Sequence, residues 1–428
     1  MTEHKSAHRR KVFAWCMYDF ANSAYTTLVV TFIYATYFTK AIAENEIVGT
    51  ALWSRAVVIT AITVTILSPF LGALADRGGY RKFFLFLMTA ICVAGSAMLY
   101  TALPGQTTKA LFWFAVGNIA FEMGCVFYNA FLPDIAPPAQ IGRISGYGWS
   151  MGYVGGLLAM FIAMVGFVNP ATPWFGFSTA AGENIRATNL LVAMWVAVFS
   201  LPLFLWIKED KSQIIGKGER LLASSLKQLV NTFHQVKQYR QTARFLAAHL
   251  IYNDGLVTIF AFGGIYAAGT FNFTFSEIMI FGIVLNLTAG IGAFALGFFD
   301  DRLGGKKTIQ ISLIALILAS LLAVLAPNKS VFWTAGILVG IFSGPNQAAS
   351  RSLMGRFAPP DKENEFFGFF AFSGKATAFL GPFFLGILTE LFNSQRAGIS
   401  IVILFFLLGS LLLAFVDENE GKRAAGRA

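Results

Sequence analysis

Twelve long apolar runs constrain this chain more than any other feature of its sequence. Each has about 20 residues or more, the length that an α-helix needs to cross a hydrocarbon core of about 30 Å. In lipid an α-helix satisfies its own backbone hydrogen bonds, and these runs are too long for the strands of a membrane β-barrel. The sequence therefore predicts an all-α membrane protein with spans near residues 14–39, 54–75, 83–103, 110–132, 146–168, 188–207, 243–268, 276–299, 308–326, 331–354, 366–389 and 397–416.

Composition and charge agree with this fold class. Of the residues, 56% are hydrophobic and only 13% are charged, against roughly 25% charged in soluble domains. The net charge of +10 would suggest nucleic acid as a partner of a soluble protein, but 25 of the 32 Lys and Arg residues lie in alternate connections and in the two tails. This bias places both termini in the cytoplasm, and it explains the charge without nucleic acid.

A charged turn containing glycine occurs twice in the sequence, 225 residues apart, each time between two apolar runs. The equivalent residues are Gly72, Asp76, Arg77, Gly79 and Arg81 in the first copy, and Gly297, Asp301, Arg302, Gly304 and Lys306 in the second. A short turn of this kind suits two helices that meet tightly at a membrane surface. Its duplication predicts that the chain consists of two related halves.

The polar connection between the halves sets the predicted domain boundaries. We expect an N-terminal tail at 1–13, a six-helix bundle at 14–207, a linker at 208–242, a second six-helix bundle at 243–416 and a C-terminal tail at 417–428. In the linker, apolar residues recur at helical spacing at Leu222, Leu226, Leu229, Phe233 and Val236. This pattern favours an amphipathic helix, either on the inner leaflet or packed beneath the bundles.

The duplicated turn resembles the loop motif of the major facilitator superfamily, where it joins helices 2 and 3 and, more weakly, helices 8 and 9. Residues 18–25 and 132–149 are similar to the subgroup that contains the vacuolar amino-acid effluxers linked to autophagy and many bacterial relatives. The resemblance covers nearly the whole chain. It implies twelve transmembrane helices in two pseudo-symmetric six-helix bundles, transport by alternating access, and a cytoplasmic gate formed by the ten residues of the two turns.

Placing an ionisable side chain at the centre of a membrane-spanning helix costs about 2.5 to 3.5 kcal/mol. Ionisable residues inside the apolar runs therefore need a functional or structural reason and are candidate functional groups. Glu122 lies near the middle of its run and is a candidate for proton coupling, with a packing role as the alternative. Asp19 shares a helix face with Asn22 and Ser23, three and four residues later, as a solute-binding stripe would require.

The second half contains a counterpart, Asn253 and Asp254. For Asp19 and Asp254 alike, an interhelical gate or packing bridge is the alternative to solute binding. Lys375 could pair with either Asp or meet a carboxylate of the solute. Asn346 and Gln347 follow Gly344 and Pro345, which interrupt the helix; they are either solute contacts or part of a plain proline kink.

Together these sequence features predict a monomeric secondary transporter in a bacterial inner membrane, coupled to protons and exporting amino acids or similar small metabolites. Efflux of amphipathic drugs, which the 45 Phe residues would allow, and a receptor or scaffold on the same fold remain alternatives. We expect no enzyme, metal site or cofactor. The three Cys lack metal-ligand spacing, the four His lack catalytic spacing, and no phosphate-binding loop is present.

Overall fold

The computed structural model describes residues 2–208, 231–232 and 238–427. All regular secondary structure in these ranges is helical, so the predicted fold class of an all-α membrane protein is confirmed. The amphipathic helix predicted from Leu222 to Val236 lies outside the described residues.

Seventeen α-helices are used below as landmarks. The first eight are α1 (Thr2–Ala24), α2 (Tyr34–Tyr37), α3 (Glu46–Gly78), α4 (Arg81–Leu99), α5 (Thr107–Asn129), α6 (Leu132–Ile135), α7 (Ile141–Ala163) and α8 (Glu183–Trp206). The others are α9 (Arg240–Phe271), α10 (Phe275–Leu303), α11 (Gly305–Leu325), α12 (Lys329–Phe357), α13 (Glu363–Lys375), α14 (Leu380–Leu391), α15 (Gln395–Ile399), α16 (Ile401–Ala414) and α17 (Glu418–Ala424).

Ten helical stretches of the described chain are long and apolar enough to cross a membrane. The two remaining predicted spans, 14–39 and 331–354, coincide with the start of the chain and with α12. Both are helical, but α12 carries Asn346, Gln347 and Arg351 in the part that would lie in the membrane. The twelve predicted spans are therefore consistent with the helices observed.

The first predicted span changes its helix type part-way. The α-helix α1 ends at Ala24 and continues as a π-helix from Tyr25 to Phe32. At the junction, the hydroxyls of Thr26 and Thr27 both donate to the carbonyl oxygen of Ser23, at 3.0 and 2.8 Å. Such side-chain bonds compete with the helical backbone, and π-helical stretches are frequent at functional sites.

One predicted span is not continuous, which corrects the expectation of a single helix over 366–389. The helix stops at Lys375, the chain turns through residues 376–379, and α14 begins at Leu380. Side chains and backbone of α9 compensate for the lost helical bonds: Asn253 Nδ2 donates to the Gly374 carbonyl at 2.9 Å, and Thr377 Oγ1 donates to the Leu250 carbonyl at 3.3 Å. A break at membrane depth is tolerated because neighbouring groups bind the freed polar atoms.

The chain divides into two compact units. The first holds the described parts of Met1–Ser68, Ala75–Asn129 and Met151–Lys217. Its core includes an aromatic group in which Trp53 and Phe114 have ring centroids 4.0 Å apart.

The second unit holds Pro69–Leu74, Ala130–Ser150 and the described part of Gly218–Ala428. It therefore includes the first half of α7 and the residues that precede that helix. Among its aromatic contacts, Phe332 stacks on Phe271 and on Phe281, at centroid distances of 4.6 and 5.2 Å.

Candidate functional site

The polar stripe predicted on the first span lies along α1 in the first unit and faces two helices. A Cβ added at Gly152 of α7 would stand 2.8 Å from the Ser23 hydroxyl oxygen and 3.7 Å from the Asp19 Cβ, so both side chains lie beside α7. Asn22 faces α5 instead, where its Nδ2 donates to the Cys125 sulfur at 3.9 Å.

Glu122 lies on α5 one turn before Cys125 and is half-buried. Tyr25, the first residue of the π-helix, interacts electrostatically with Glu122 and stacks on Phe121 at 5.2 Å. The structure therefore places Asn22 and Glu122 at the same α1–α5 interface, whereas Asp19 and Ser23 lie on the α7 side of α1.

In the second unit, a buried polar cluster surrounds the helix break between α13 and α14. His249 Nδ1 lies 2.8 Å from Ser373 Oγ, and the Ser373 hydroxyl donates to the Phe370 carbonyl at 2.8 Å. Because a hydroxyl has one hydrogen, His249 Nδ1 must be the donor to Ser373. One turn away, Tyr252 and Ser350 hydroxyls hydrogen-bond at 2.7 Å and connect α9 to α12.

Two predicted site residues in this unit bury polar atoms without a partner. Asp254 is 1% exposed and Asn346 is 0% exposed. Among the described residues, Asp254 Oδ2 and both side-chain amide atoms of Asn346 have no hydrogen-bond partner. A buried polar group of this kind costs about 1 to 3 kcal/mol. Gln347 follows on α12, and Lys375 is the last residue of α13, directly at the break; both are half-buried.

Each copy of the charged turn has a glycine of positive φ directly after its first helix. Gly79 follows α3 with φ of +61°, and Gly304 follows α10 with φ of +90°. Both stand seven residues after the first glycine of their copy, and this region of φ favours glycine. Both helices therefore end at a glycine, although the two turns differ in ψ, which is 32° at Gly79 and 157° at Gly304. In the first copy, Asp76, Arg77 and Arg81 are half-buried around this turn.

In the second copy, Asp301 binds the first turn of α7. Its Oδ1 accepts the backbone N–H groups of Gly142 at 2.9 Å and Arg143 at 3.3 Å, and its Oδ2 forms an ion pair with Arg143 Nε at 2.5 Å. The helix dipole adds to this attraction, because a carboxylate is favoured at a helix N-terminus. Arg302 is exposed, whereas Lys306 donates from Nζ to the Ala414 carbonyl at 2.9 Å.

A second set of contacts joins α7 to α12. Arg351 is 3% exposed; its Nε donates to Ser145 Oγ at 3.0 Å and its Nη2 to the Ser145 carbonyl at 2.7 Å, and its guanidinium lies 5.5 Å from the ring centre of Trp149. Nearby, α7 and α10 cross closely, because a Cβ at Gly146 would overlap the Ala293 carbonyl oxygen. Separating α7 from these helices would break all of these contacts.

The predicted C-terminal tail begins with a docked helix, α17. The Lys306 backbone N–H donates to Glu418 Oε2 at 2.9 Å, and Arg356 lies 3.9 Å from Glu418 while pairing with Asp300 at 2.5 Å. Burial would raise the pKa of Glu418, but Arg356, Lys422 and the Lys306 N–H together hold that pKa below its ordinary value. The carboxylate is thus the form that binds.

Several of these residues were missed by sequence reasoning. His249 and Ser373 carry no sequence pattern, and only the fold brings them together. Arg143, Arg351 and Arg356 were counted as surface cations, although the position of Arg351 inside the predicted span 331–354 was a signal of burial.

Residues 48–426 match the family model described as "Vacuole effluxer Atg22 like". This chain belongs to that family. It is 27% identical over 409 residues to the uncharacterized MFS-type transporter YxiO of Bacillus subtilis, covering 95% of this chain and 94% of that protein. It is 26% identical over 307 residues to autophagy-related protein 22-1 of Aspergillus fumigatus, covering 66% of this chain and 49% of that protein, so it matches about half the length of this fungal relative.

Solved structures of the same fold are also similar. The major facilitator transporter FucP in its outward conformation superposes with a TM-score of 0.73 at 13% identity, over 96% of this chain and 99% of that one. The proton:xylose symporter XylE gives a TM-score of 0.75 at 11% identity, over 98% of each chain. The fold is therefore that of the major facilitator superfamily, and the chain is an integral, multi-pass membrane protein of a transporter family.

Proposed function

We propose that this chain is a secondary transporter that exports amino acids or similar small metabolites by alternating access, driven by protons. The observation that carries the proposal is a pair of buried side chains beside a broken helix in a transporter fold: among the described residues, Asp254 Oδ2 and the Asn346 amide have no hydrogen-bond partner. Such groups are costly in a membrane protein unless a solute, water or proton binds them during the cycle. Lys375 at the break supplies a cation suited to a carboxylate.

The contacts of the first turn of α7 support alternating access. Asp301 and Arg351 hold residues 142–149 against α10 and α12 through one ion pair and several hydrogen bonds, beside the stacking of Tyr147 on Phe294. Contacts of this kind can break and re-form. We assign them to the cytoplasmic gate, because the Lys and Arg bias of the sequence favours that side and places both termini in the cytoplasm of a bacterial cell.

Proton coupling is assigned to Glu122. It is a half-buried carboxyl beside Asn22 and Tyr25 on two of the first unit's helices, where protonation would change the charge of a weakly hydrated interface. The family description names an effluxer, which supports export. XylE, which has a similar fold, is a proton:xylose symporter, and this supports coupling to protons on such a fold.

Transport in proteoliposomes tests this proposal. Purified protein is reconstituted with radiolabelled amino acids or with cationic amphipathic dyes inside, and efflux is followed with and without a pH gradient. We expect efflux of at least one amino acid to be accelerated by the gradient. Acceleration of the dyes alone would favour drug efflux, and no movement of any solute would favour a receptor or scaffold.

A Glu122→Gln variant separates coupling from transport. It should keep solute exchange across the membrane without a pH gradient and lose acceleration by the gradient. Glu390→Gln, which removes an exposed carboxyl from α14, is the matched control and should behave as the parent does. An unchanged response of Glu122→Gln to the gradient would remove Glu122 from the proton pathway.

A further inference from the structure

A cavity of about 830 Å³ lies beside α17 in the second unit. Its apolar wall is formed by residues that precede or begin α7, namely Pro133, Pro138 and Ile141. Among the described residues that line it there is no carboxylate, but there are four cations: Arg356, Lys422, Arg423 and Arg427. An apolar wall facing several cations suits a ligand with an anionic group and an apolar body.

The cations differ in how much of their hydrogen-bonding capacity is already used. Arg427 donates from Nε to the Ala358 carbonyl and from Nη2 to Glu363, at 2.5 and 2.6 Å, and Lys422 pairs with Glu418 at 2.6 Å. Arg423 is exposed and makes no side-chain hydrogen bond to any described residue. A guanidinium has five N–H donors in a planar fork, so Arg423 can bind two oxygens of one anion.

A neighbouring cavity of about 580 Å³ extends this basic surface. It shares Arg356 and Lys422 with the first cavity and is also lined by Arg302, Lys306 and Lys307. Together the two cavities are lined by seven cations and four carboxylates. The local field is therefore positive and raises the concentration of anions at the cavity mouth.

We propose that the cavity beside α17 binds a phosphate group, either on the headgroup of an anionic lipid or as a free phosphate ion. The Arg423 guanidinium matches phosphate geometry, and the wall formed by Pro133, Pro138 and Ile141 accommodates the glycerol of a lipid. Basic pockets at the ends of transmembrane helices are suited to such headgroups. A ligand held here contacts the segment before α7 together with α12 and α17, and so holds that segment in place.

Ligand-induced stabilisation of the purified full chain tests this site. Thermal unfolding in detergent is measured against dioctanoyl phosphatidic acid, against dioctanoylglycerol, which lacks the phosphate, and against sodium phosphate at matched ionic strength. We expect the midpoint to rise with phosphatidic acid and not with dioctanoylglycerol. Arg423→Gln should weaken the apparent affinity about tenfold, since one charge-assisted bidentate contact is lost.

The controls distinguish a site from general surface charge. Arg240→Gln removes one exposed cation of the same unit that lines neither cavity, and it should leave the affinity unchanged. Arg423→Lys keeps the charge without the fork and should lie between parent and Arg423→Gln. Stabilisation by phosphatidic acid alone identifies a lipid site, and stabilisation by sodium phosphate as well identifies a site for phosphate itself. No stabilisation by either, or equal losses in Arg423→Gln and Arg240→Gln, would overturn the proposal.

Discussion

Replacing Asp301 by Asn removes the charge that attaches the first turn of α7 while keeping the shape of the side chain. The amide oxygen can still accept both backbone N–H groups, but the amide nitrogen would face the Arg143 guanidinium as a second donor. The Asp301 side chain is 3% exposed and that of Arg143 is 34% exposed. Breaking a buried pair costs about 3 to 5 kcal/mol and breaking an exposed one less than about 1.

For this half-screened pair we take about 2 kcal/mol, between those limits. If the contact is lost when the gate opens, the ratio of open to closed molecules should rise about thirtyfold, since 1.4 kcal/mol is a factor of ten. The measurement is the labelling rate of an Ile144→Cys reporter with a water-soluble maleimide, in a chain whose three native cysteines are replaced. Ile144 is 1% exposed and its side chain makes none of the polar contacts assigned to the gate, so labelling reports the open fraction.

Asp361→Asn is the matched control for this experiment. Asp361 is an exposed carboxylate of the same unit, and its φ of +74° is one that Asn tolerates. It should leave the labelling rate of the reporter unchanged. A rate in Asp301→Asn within twofold of the parent, with an unchanged thermal midpoint, would refute the reasoning that this carboxylate holds the gate closed.

Three further perturbations have defined outcomes. Asn253→Ala leaves the Gly374 carbonyl unpaired at the helix break and should lower the free energy of unfolding by about 1 to 3 kcal/mol, whereas Asn286→Ala, whose amide bonds a carbonyl within its own helix, should cost little in the same thermal or denaturant assay. Because the pKa of Glu418 is depressed in the folded chain, its contribution to docking α17 is complete above about pH 4.5 and is lost as the pH falls below that value; hydrogen exchange of α17 should show this loss, and Glu418→Gln should reduce the pH dependence to the part that the cap Asp417, whose pKa is also lowered, contributes. Asp76→Asn should reduce transport more than membrane expression, and equal transport by variant and parent would remove its gating role.

Sequence reasoning identified most of the fold because length and hydropathy decide what can cross a membrane. The apolar runs and the repeated turn could be recognised in the sequence. So could Gly79 and Gly304, which end the first helix of each copy, because a positive φ restricts the residue type there. The interruption at Lys375 was not readable. Gly381 and Pro382 follow it, but Gly344 and Pro345 lie inside the continuous helix α12, so this signal alone does not decide. The groups that stabilise the break, among them Asn253, come from α9, more than a hundred residues earlier.

The candidate site was predicted in part, for a similar reason. A charged residue is rare inside an apolar run and is therefore easy to identify, which is how Asp19, Glu122 and Asp254 were predicted. Which helix each faces depends on packing, so the separation of Asn22 from Ser23 onto two neighbours of α1 could not be predicted. Arg351 was overlooked because a cation near a predicted helix end usually reaches water, whereas here Ser145 and Trp149 cover it.

Under the proposed alternating access, the close crossing of α7 and α10 at Gly146 offers a way to favour the open conformer. One added methyl group in Gly146→Ala would act as a wedge, since the Ala293 carbonyl leaves it no room. The Gly146→Ala protein would favour separation of α7 from α10 without an inhibitor or solute. It is therefore a suitable antigen for selecting conformation-specific antibody fragments and a suitable sample for structure determination of that conformer.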